Sequence, residues 1–136
     1  MRDVGHKVAP AERARLVQDF IAYYSKQPED PSAPHDLEIP EFWAIEALDE
    51  AARKNPEFAW SVVLELAEIA KIPVAVSCLA AGPLEDIIEY HGPQFIDRIE
   101  IEAKCNASFR YLLGGVWKSS TPDIWSRIEA SRGEPW

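Results

Sequence analysis

Apolar residues recur along this chain at the three- and four-residue spacing that places side chains on one face of a helix. Leu16, Phe20 and Tyr24 share one such face, and Trp60 and Leu64 share another. The alternation of apolar and polar residues that marks a half-buried strand is not sustained in any window. The pattern therefore predicts an all-α fold.

Prolines mark where the predicted helices begin. Proline suits the first helical turn, where its missing N–H would have no partner, and acidic residues favour the same turn through the helix dipole. Asn55 and Thr121 each precede a proline and an acid, so both are predicted to cap the helices that follow. The predicted helices span 10–26, 40–54, 56–71, 73–81, 83–91, 93–105, 107–113 and 122–132.

The length of the chain limits how these helices can pack. At 136 residues, the chain is predicted to form a single helical domain over 1–136, with a proline-rich acidic loop at 27–39. The tight Asn-Pro, Ile-Pro and Gly-Pro corners predict about seven to eight short helices. Two arrangements suit them, an irregular HEAT-like helical array and a compact orthogonal bundle.

The net charge of the chain limits the classes of partner that it can bind. The 23 acidic and 14 basic residues give a net charge of −9, which argues against the cationic surface that phosphate contacts to nucleic acid require. The excess is uneven, because residues 27–52 hold eight acids and neither Lys nor Arg, and residues 84–102 hold six acids against Arg98. An acidic surface of this kind either aids solubility or docks a basic protein.

The sequence does not support a membrane-spanning, secreted, disulfide-rich or metal-binding protein. The chain has neither a long apolar run for a membrane span nor an apolar stretch near its charged start for a secretion signal, so we expect a cytoplasmic protein that does not bind membranes. Cys78 and Cys105 suit neither a disulfide scaffold nor a metal clip, and both are predicted to be packed free thiols. His6 and His35 stand in no metal-binding motif, so no metal site and no cofactor is predicted.

Two segments resemble a known family. Residues 80–86 read A-A-G-P-L-E-D and are followed by His91-Gly92, and residues 109–117 read F-R-Y-L-L-G-G-V-W. The combination resembles a family of small bacterial domains of unknown function that carry A-G-P-L-E-D, H-G and F-R…L-G-G-V-W boxes. The resemblance covers residues 42–136 and implies a bacterial source and a helical domain, with no activity attached.

The first box has a structural interpretation. Gly82 is predicted to end one helix in the left-handed conformation, and Pro83 is predicted to start the next. Glu85 and Asp86 then stand where they can cap the free N–H groups of that helix. The alternative is that these two carboxylates take part in acid/base chemistry.

Two further residues near the boxes carry chemistry. His91 lies on an apolar helical stripe, which predicts a partly buried, hydrogen-bonded histidine rather than a general base or ligand. Arg110 is predicted to form an ion pair with Glu85, Asp86 or Glu100, or else to be an exposed anchor. The candidates for a catalytic site are therefore Glu85, Asp86, His91 and Arg110.

The second box contains paired glycines and a tryptophan. The Gly114–Gly115 pair lacks the spacing of a phosphate loop and is predicted to end a helix, so that Val116 and Trp117 return to the core. Trp43 and Trp117 are expected either to fill spaces between short helices or to anchor a binding surface, because exposed tryptophans mark such surfaces.

These patterns favour a non-enzymatic protein-binding module over a small enzyme. Such a module would bind a basic partner through its acidic helical surface, as a bacterial immunity or antitoxin-type protein does. The predicted binding residues are Trp43, Glu46, Asp49, Glu50 and Trp117. The alternative is an enzyme with an acid/base site around Glu85, Asp86, His91 and Arg110, but no nucleophile, base and orienting group share a motif. Association with a second copy of the chain stays open.

Overall fold

A computed structural model describes residues 10–28, 30 and 32–136, and these residues fold into helices joined by short connections. The elements are α1 (Pro10–Ser25), α2 (Phe42–Lys54), α3 (Pro56–Ile69), α4 (Pro73–Leu79), a π-helical turn (Ala80–Leu84), α5 (Glu85–Cys105), α6 (Ala107–Leu113) and α7 (Pro122–Ser131). None of the described residues lies in a strand, so the predicted all-α class is confirmed. His6 and the predicted charged start lie outside the described residues.

The helices pack around one hydrophobic core. α1 contacts α2, α3 and α4, while α5 contacts α2, α3, α6 and α7, so helices far apart in sequence meet. Repeat arrays differ from this, because each of their units contacts only its neighbours. The chain is thus a single domain with compact helical packing. The largest fully buried side chains include Phe20, Tyr23, Leu48, Leu66, Leu84, Phe95, Ile99 and Phe109.

The predicted break at Gly82 does not occur, whereas the predicted break before Pro93 is present as a kink at His91. The chain stays helical from Pro73 to Tyr90, and no described glycine has a positive φ, so the predicted left-handed stop at Gly82 is wrong. Pro83 lies inside the π-helical turn, and the wider turn accommodates a ring that would clash with the carbonyl one α-turn earlier. Pro93 is accommodated by a kink at His91, whose φ of −136° and ψ of 25° are not helical.

Side-chain caps occur at one of the two predicted positions. The Thr121 hydroxyl accepts a hydrogen bond from the Ile124 N–H at 3.3 Å, as predicted. Asn55, the single residue between α2 and α3, forms no side-chain cap bond. Asn106, which was not predicted, caps α6 by accepting from the Phe109 N–H at 3.1 Å.

The connection between α1 and α2 is held against α1 by a buried amide. The Gln27 side chain accepts from the Asp36 N–H at 2.8 Å and donates to the Tyr23 carbonyl at 3.3 Å. The His35 ring packs edge-on against Tyr23 and Tyr24, with ring centroids 6.3 and 5.8 Å apart. These contacts fix the described part of the connection beside the start of α2.

The C-terminal residue docks on the glycine pair that follows α6. The Trp136 indole stacks on Tyr111 with ring centroids 5.1 Å apart, and its Nε1–H donates to the Tyr111 carbonyl at 2.7 Å. A Cβ at Gly115 would lie 2.5 Å from the indole ring. The pair ends α6 as predicted, but Gly114 does so in a right-handed conformation, and the lack of side chains serves this close approach.

Candidate binding site

The first box packs against the acidic side of α2. In the π-helical turn, a Cβ added to Gly82 would lie 3.6 Å from the Asp49 carboxylate. One helical turn along α2, an Arg53 guanidinium nitrogen lies 3.6 Å from a carboxylate oxygen of Asp86. The structure therefore brings together two segments, 46–53 and 82–86, that the sequence analysis treated separately.

Four carboxylates are neighbours where α2 and α5 meet. We call them the acidic row: Glu46, Asp49, Asp86 and Glu89. Burial raises the pKa of Asp49, and the negative charges of Asp86 and Glu46 raise it further, against the opposing effect of Arg53. Burial also raises the pKa of Asp86, with Glu89 adding to the shift and Arg53 opposing it. Arg53 thus lies within the row without fully neutralising it.

Beside the acidic row lies a cavity of about 260 Å³ between α1, α2 and the π-helical turn. Its lining residues are Phe20, Tyr24, Ile45, Asp49, Cys78, Ala81, Gly82 and Pro83. The Asp49 carboxylate forms neither a hydrogen bond nor an ion pair with any described residue. It is the one acidic side chain on an otherwise mostly apolar wall.

The wall of the cavity opposite Asp49 contains a tyrosine and a cysteine. Burial raises the pKa of the Tyr24 hydroxyl above its ordinary value, and the neighbouring Cys78 thiol, which shares a hydrogen bond with it, adds to the shift. Tyr24 is therefore a neutral phenol at physiological pH. Cys78 is half-buried, as expected for a packed thiol, whereas Cys105 is exposed, so that part of the expectation is wrong.

The predicted binding residues of α2 divide between its outer edge and the cavity. Glu46 and Glu50 are exposed on the outer edge, where Glu50 lies 3.1 Å from Lys54. Asp49 faces the cavity instead. Trp43 is half-buried, because its Nε1–H donates to Asp19 at 2.7 Å. The Arg15 guanidinium also lies 4.5 Å from the centre of the Trp43 ring, so this tryptophan already has partners within the chain.

The predicted return of Trp117 to the core is wrong. Its side chain is 74% exposed, while Val116 before it is buried. The cause lies in α5, where Glu85 accepts the Trp117 N–H at 3.0 Å and Glu89 accepts the Ser120 N–H at 2.7 Å. These bonds hold the connection along the surface of α5 and leave the indole in solvent, next to carboxylates.

The four candidate catalytic residues do not share one centre. Glu85 binds the 117–120 connection, whereas Asp86 and His91 both contact Arg53, through its guanidinium and its backbone carbonyl respectively. Glu85 and Asp86 do not cap α5, because the π-helical turn runs into this helix and leaves no free N–H groups there. His91 is half-buried and hydrogen-bonded, as predicted.

The predicted ion pair of Arg110 is also wrong. Its guanidinium donates to the Ala103 carbonyl at 2.7 Å, near the end of α5. Glu100, one of its expected partners, lies 2.6 Å from Arg127 of α7 instead. Arg127 reaches Glu100 because α5 and α7 pack together, which the sequence pattern did not reveal. No group of three or more possible metal ligands occurs among the described residues.

Sequence reasoning missed three residues of this site. Arg53 lies just outside the acidic segment 27–52, although an arginine one turn after Asp49 is a recognisable i, i+4 partner. The sequence predicts Tyr24 on an apolar helical face and Cys78 as a packed thiol, and nothing in their spacing indicates that they face the same cavity.

Residues 30–135 match a family described as a family of unknown function. The chain belongs to this family, DUF6869. The expected membership in a family of unknown function is confirmed, while the three boxes as markers of DUF6869 stay a prediction. The DUF6869 match begins at residue 30 rather than 42, so it also includes most of the proline-rich acidic loop at 27–39. No curated protein and no solved structure matches the chain. No helix in the described part is long and apolar enough to cross a membrane.

Proposed function

We propose that this protein is a non-enzymatic protein-binding module that takes a basic partner on the acidic row and the adjoining outer edge of α2. The observation that carries the proposal is the placement of Asp49 and Asp86: Asp49 lines a cavity and forms no ion pair with any described residue, while the Asp86 carboxylate lies 3.6 Å from the single guanidinium of Arg53. The raised pKa values of both carboxyl groups agree with this burial and crowding of carboxylates. Charges that a fold holds against their own repulsion are typical of functional sites. A cation from a partner would relieve the repulsion between these carboxylates. The arrangement therefore favours the binding of a basic ligand.

The surroundings of the acidic row support the same function. Glu46 and Glu50 extend the negative charge to the exposed edge of α2. On α5, Glu85 and Glu89 accept from the backbone of the connection that carries the exposed Trp117. An exposed tryptophan beside carboxylates can supply the apolar contact that charge pairs alone lack. An immunity or antitoxin-type protein that neutralises a basic toxin would use a surface of this kind.

The enzymatic alternative has less support. Glu85 and Arg110 each bind backbone groups in different parts of the fold. An acid/base mechanism requires its groups to converge on one reacting atom. Of the four candidates, Asp86 and His91 share a contact residue, Arg53, but through different atoms of it.

The proposal is tested by affinity purification from extracts of the source cells with matched charge variants. Glu46→Lys combined with Glu50→Lys reverses two carboxylates beside the row. Glu68→Lys combined with Glu134→Lys reverses two exposed carboxylates elsewhere. Each pair of reversals shifts the net charge from −9 to −5, so only position differs.

We expect a basic protein to be retained by wild type and by the control, and to be lost with the α2 reversals. Its association rate with purified wild type should fall steeply as salt rises. Equal retention by both double variants, or retention of no protein that depends on Glu46 and Glu50, would refute the proposal.

A further inference from the structure

We infer that the cavity between α1, α2 and the π-helical turn receives one lysine or arginine side chain of the basic partner, with its cation at Asp49. This inference rests on the proposed function and specifies which part of the partner enters the site. The cavity, at about 260 Å³, lies just below the range for drug-sized ligands and suits a single long side chain.

The walls of the cavity match the stem of such a side chain. Ile45, Ala81 and Pro83 supply aliphatic surface, and Phe20 and Tyr24 supply aromatic rings. Lysine and arginine carry their charge on three or four methylene groups, which favour apolar contact while the head group seeks a polar partner. Aromatic rings near the path also attract a cation through their π faces.

The head group would be recognised by Asp49. This carboxylate has no hydrogen-bond or ion-pair partner among the described residues, although it is partly withdrawn from solvent. A partly buried carboxylate forms stronger ion pairs than an exposed one, because solvent screens it less. The cavity therefore pairs one unsatisfied acceptor with an apolar passage.

Arg53 does not take the place of the ligand. Its guanidinium nitrogen lies 3.6 Å from the Asp86 carboxylate, and no ion pair joins it to Asp49. The carboxylates of Glu46, Asp49 and Asp86 outnumber this single guanidinium in the immediate neighbourhood, so a cation at Asp49 meets net negative charge.

Gly82 lies beside Asp49 in the lining of the cavity. A Cβ at this position would be in ordinary van der Waals contact with the carboxylate, at 3.6 Å. A side chain longer than that of alanine would extend over the same oxygen. The absence of a side chain at Gly82 therefore leaves this oxygen open to a cation.

The inference can be tested on the full chain with small probes. The probes are n-butylammonium, which represents lysine, n-butylguanidinium, which represents arginine, and n-butanol, which has the stem without the charge. Binding is followed by NMR shifts of the backbone amides, with Gly82 and Asp49 as reporters of the cavity. We expect saturable shifts at these amides with at least one cationic probe, and affinity at least tenfold lower for n-butanol.

Two variants distinguish binding in the cavity from a general attraction of cations to acidic residues. Asp49→Asn keeps the shape of the side chain and removes its charge, so it should weaken binding of the cationic probe at least tenfold. Glu68→Gln removes an exposed carboxylate of α3 that lies outside the cavity lining and the acidic row, and its effect should be less than threefold. Equal effects of the two variants, equal binding of n-butanol, or shifts spread over the whole acidic surface would overturn the inference.

The two proposals fail in different ways. A basic partner that depends on Glu46 and Glu50, together with probes that do not bind, would overturn the cavity inference alone. Probes that bind through Asp49, with no partner that depends on the α2 carboxylates, would overturn the proposed function and the assignment of the occupant to a protein side chain.

Discussion

The imidazole Nε2 of His91 lies 2.9 Å from the backbone carbonyl oxygen of Arg53, and this contact joins the kink of α5 to the end of α2. A carbonyl oxygen can only accept, so Nε2 carries the proton and donates. The same residue, Arg53, binds Asp86 through its side chain. Arg53 of α2 therefore contacts Asp86 of the first box through its side chain and His91, which follows the box, through its backbone carbonyl.

Replacing His91 should weaken this junction. His91→Ala removes the hydrogen bond and part of a half-buried ring, and we expect a loss of about 1–2 kcal/mol in the free energy of unfolding. The neighbouring Tyr90 is 59% exposed, so Tyr90→Ala is a matched control with a change below about 0.5 kcal/mol. Urea denaturation of both variants measures the difference, and equal midpoints would contradict the structural role of His91.

Glu85 should contribute to stability through the connection that follows α6, not through a helix cap. Glu85→Ala removes the acceptor of the Trp117 N–H, with an expected loss of about 1 kcal/mol. Glu85→Gln keeps an acceptor oxygen and should recover most of that loss. Trp117 fluorescence, read in chains without the other tryptophans, should shift for Glu85→Ala only. The same shift in both variants would show that charge, rather than the hydrogen bond, holds the connection.

Asp49 and Asp86 should destabilise the fold at neutral pH. Their folded-state pKa values are raised above the ordinary value of 3.8, so the folded protein binds protons more tightly than the unfolded chain does. The stability that this provides is fully present below pH 3.8 and is lost as pH rises through the folded pKa. Asp49→Asn and Asp86→Asn should therefore stabilise the protein at pH 7, by well under about 1 kcal/mol, because solvent screens these partly exposed carboxylates.

The pH series supplies the control for this prediction. The advantage of each Asn variant over wild type should shrink as pH falls and disappear near pH 3, where both states hold the proton in wild type. Glu68→Gln, on the exposed face of α3, should change stability little at any pH. A loss of stability at pH 7 for Asp49→Asn would mean that its charge has a favourable partner, contrary to the geometry.

The sequence predicted the helices more reliably than their boundaries. Thr121 caps as expected because a cap depends on residues three positions apart. Gly82 and Pro83 follow the local rule for a helix break, yet the chain continues because a π-helical turn absorbs the proline ring while Leu84 and Ile87 remain buried in the core. Packing of the whole domain overrides the local preference at that point.

The sequence predicts several individual residues of the candidate site but not how the fold brings them together. The excess of acids in α2 and α5 is visible in the sequence. Five of these acids are predicted site residues: Glu46, Asp49, Glu50, Glu85 and Asp86. That Asp49 faces a cavity while Trp43 binds Asp19 depends on how α1 lies across α2, and helix periodicity does not specify this contact. The prediction for Trp117 is wrong for the same reason, since carboxylates of α5 that lie 31 and 32 residues earlier in the chain than their partners hold the backbone of residues 117–120.

The docking of the C-terminus should depend on Gly115. In Gly115→Ala, the new Cβ would lie 2.5 Å from the Trp136 ring and 3.0 Å from the Ala80 Cβ, so one of these neighbours has to move. The indole is the one expected to move, because Ala80 is fully buried whereas Trp136 is exposed. We expect a loss of about 1–3 kcal/mol in unfolding free energy and release of Trp136 from Tyr111, seen as the loss of NMR contacts between the two rings.

A double-mutant cycle distinguishes this steric conflict from a general intolerance of alanine. With Trp136→Ala in the background, most of the penalty of Gly115→Ala should vanish, because only the contact with Ala80 remains. Gly133→Ala is the matched control, since the nearest atom to its Cβ would be 3.7 Å away, in ordinary contact. If Gly115→Ala destabilises the protein equally with and without the Trp136 side chain, the glycine is required for α6 itself, and the C-terminal residue is not what selects it.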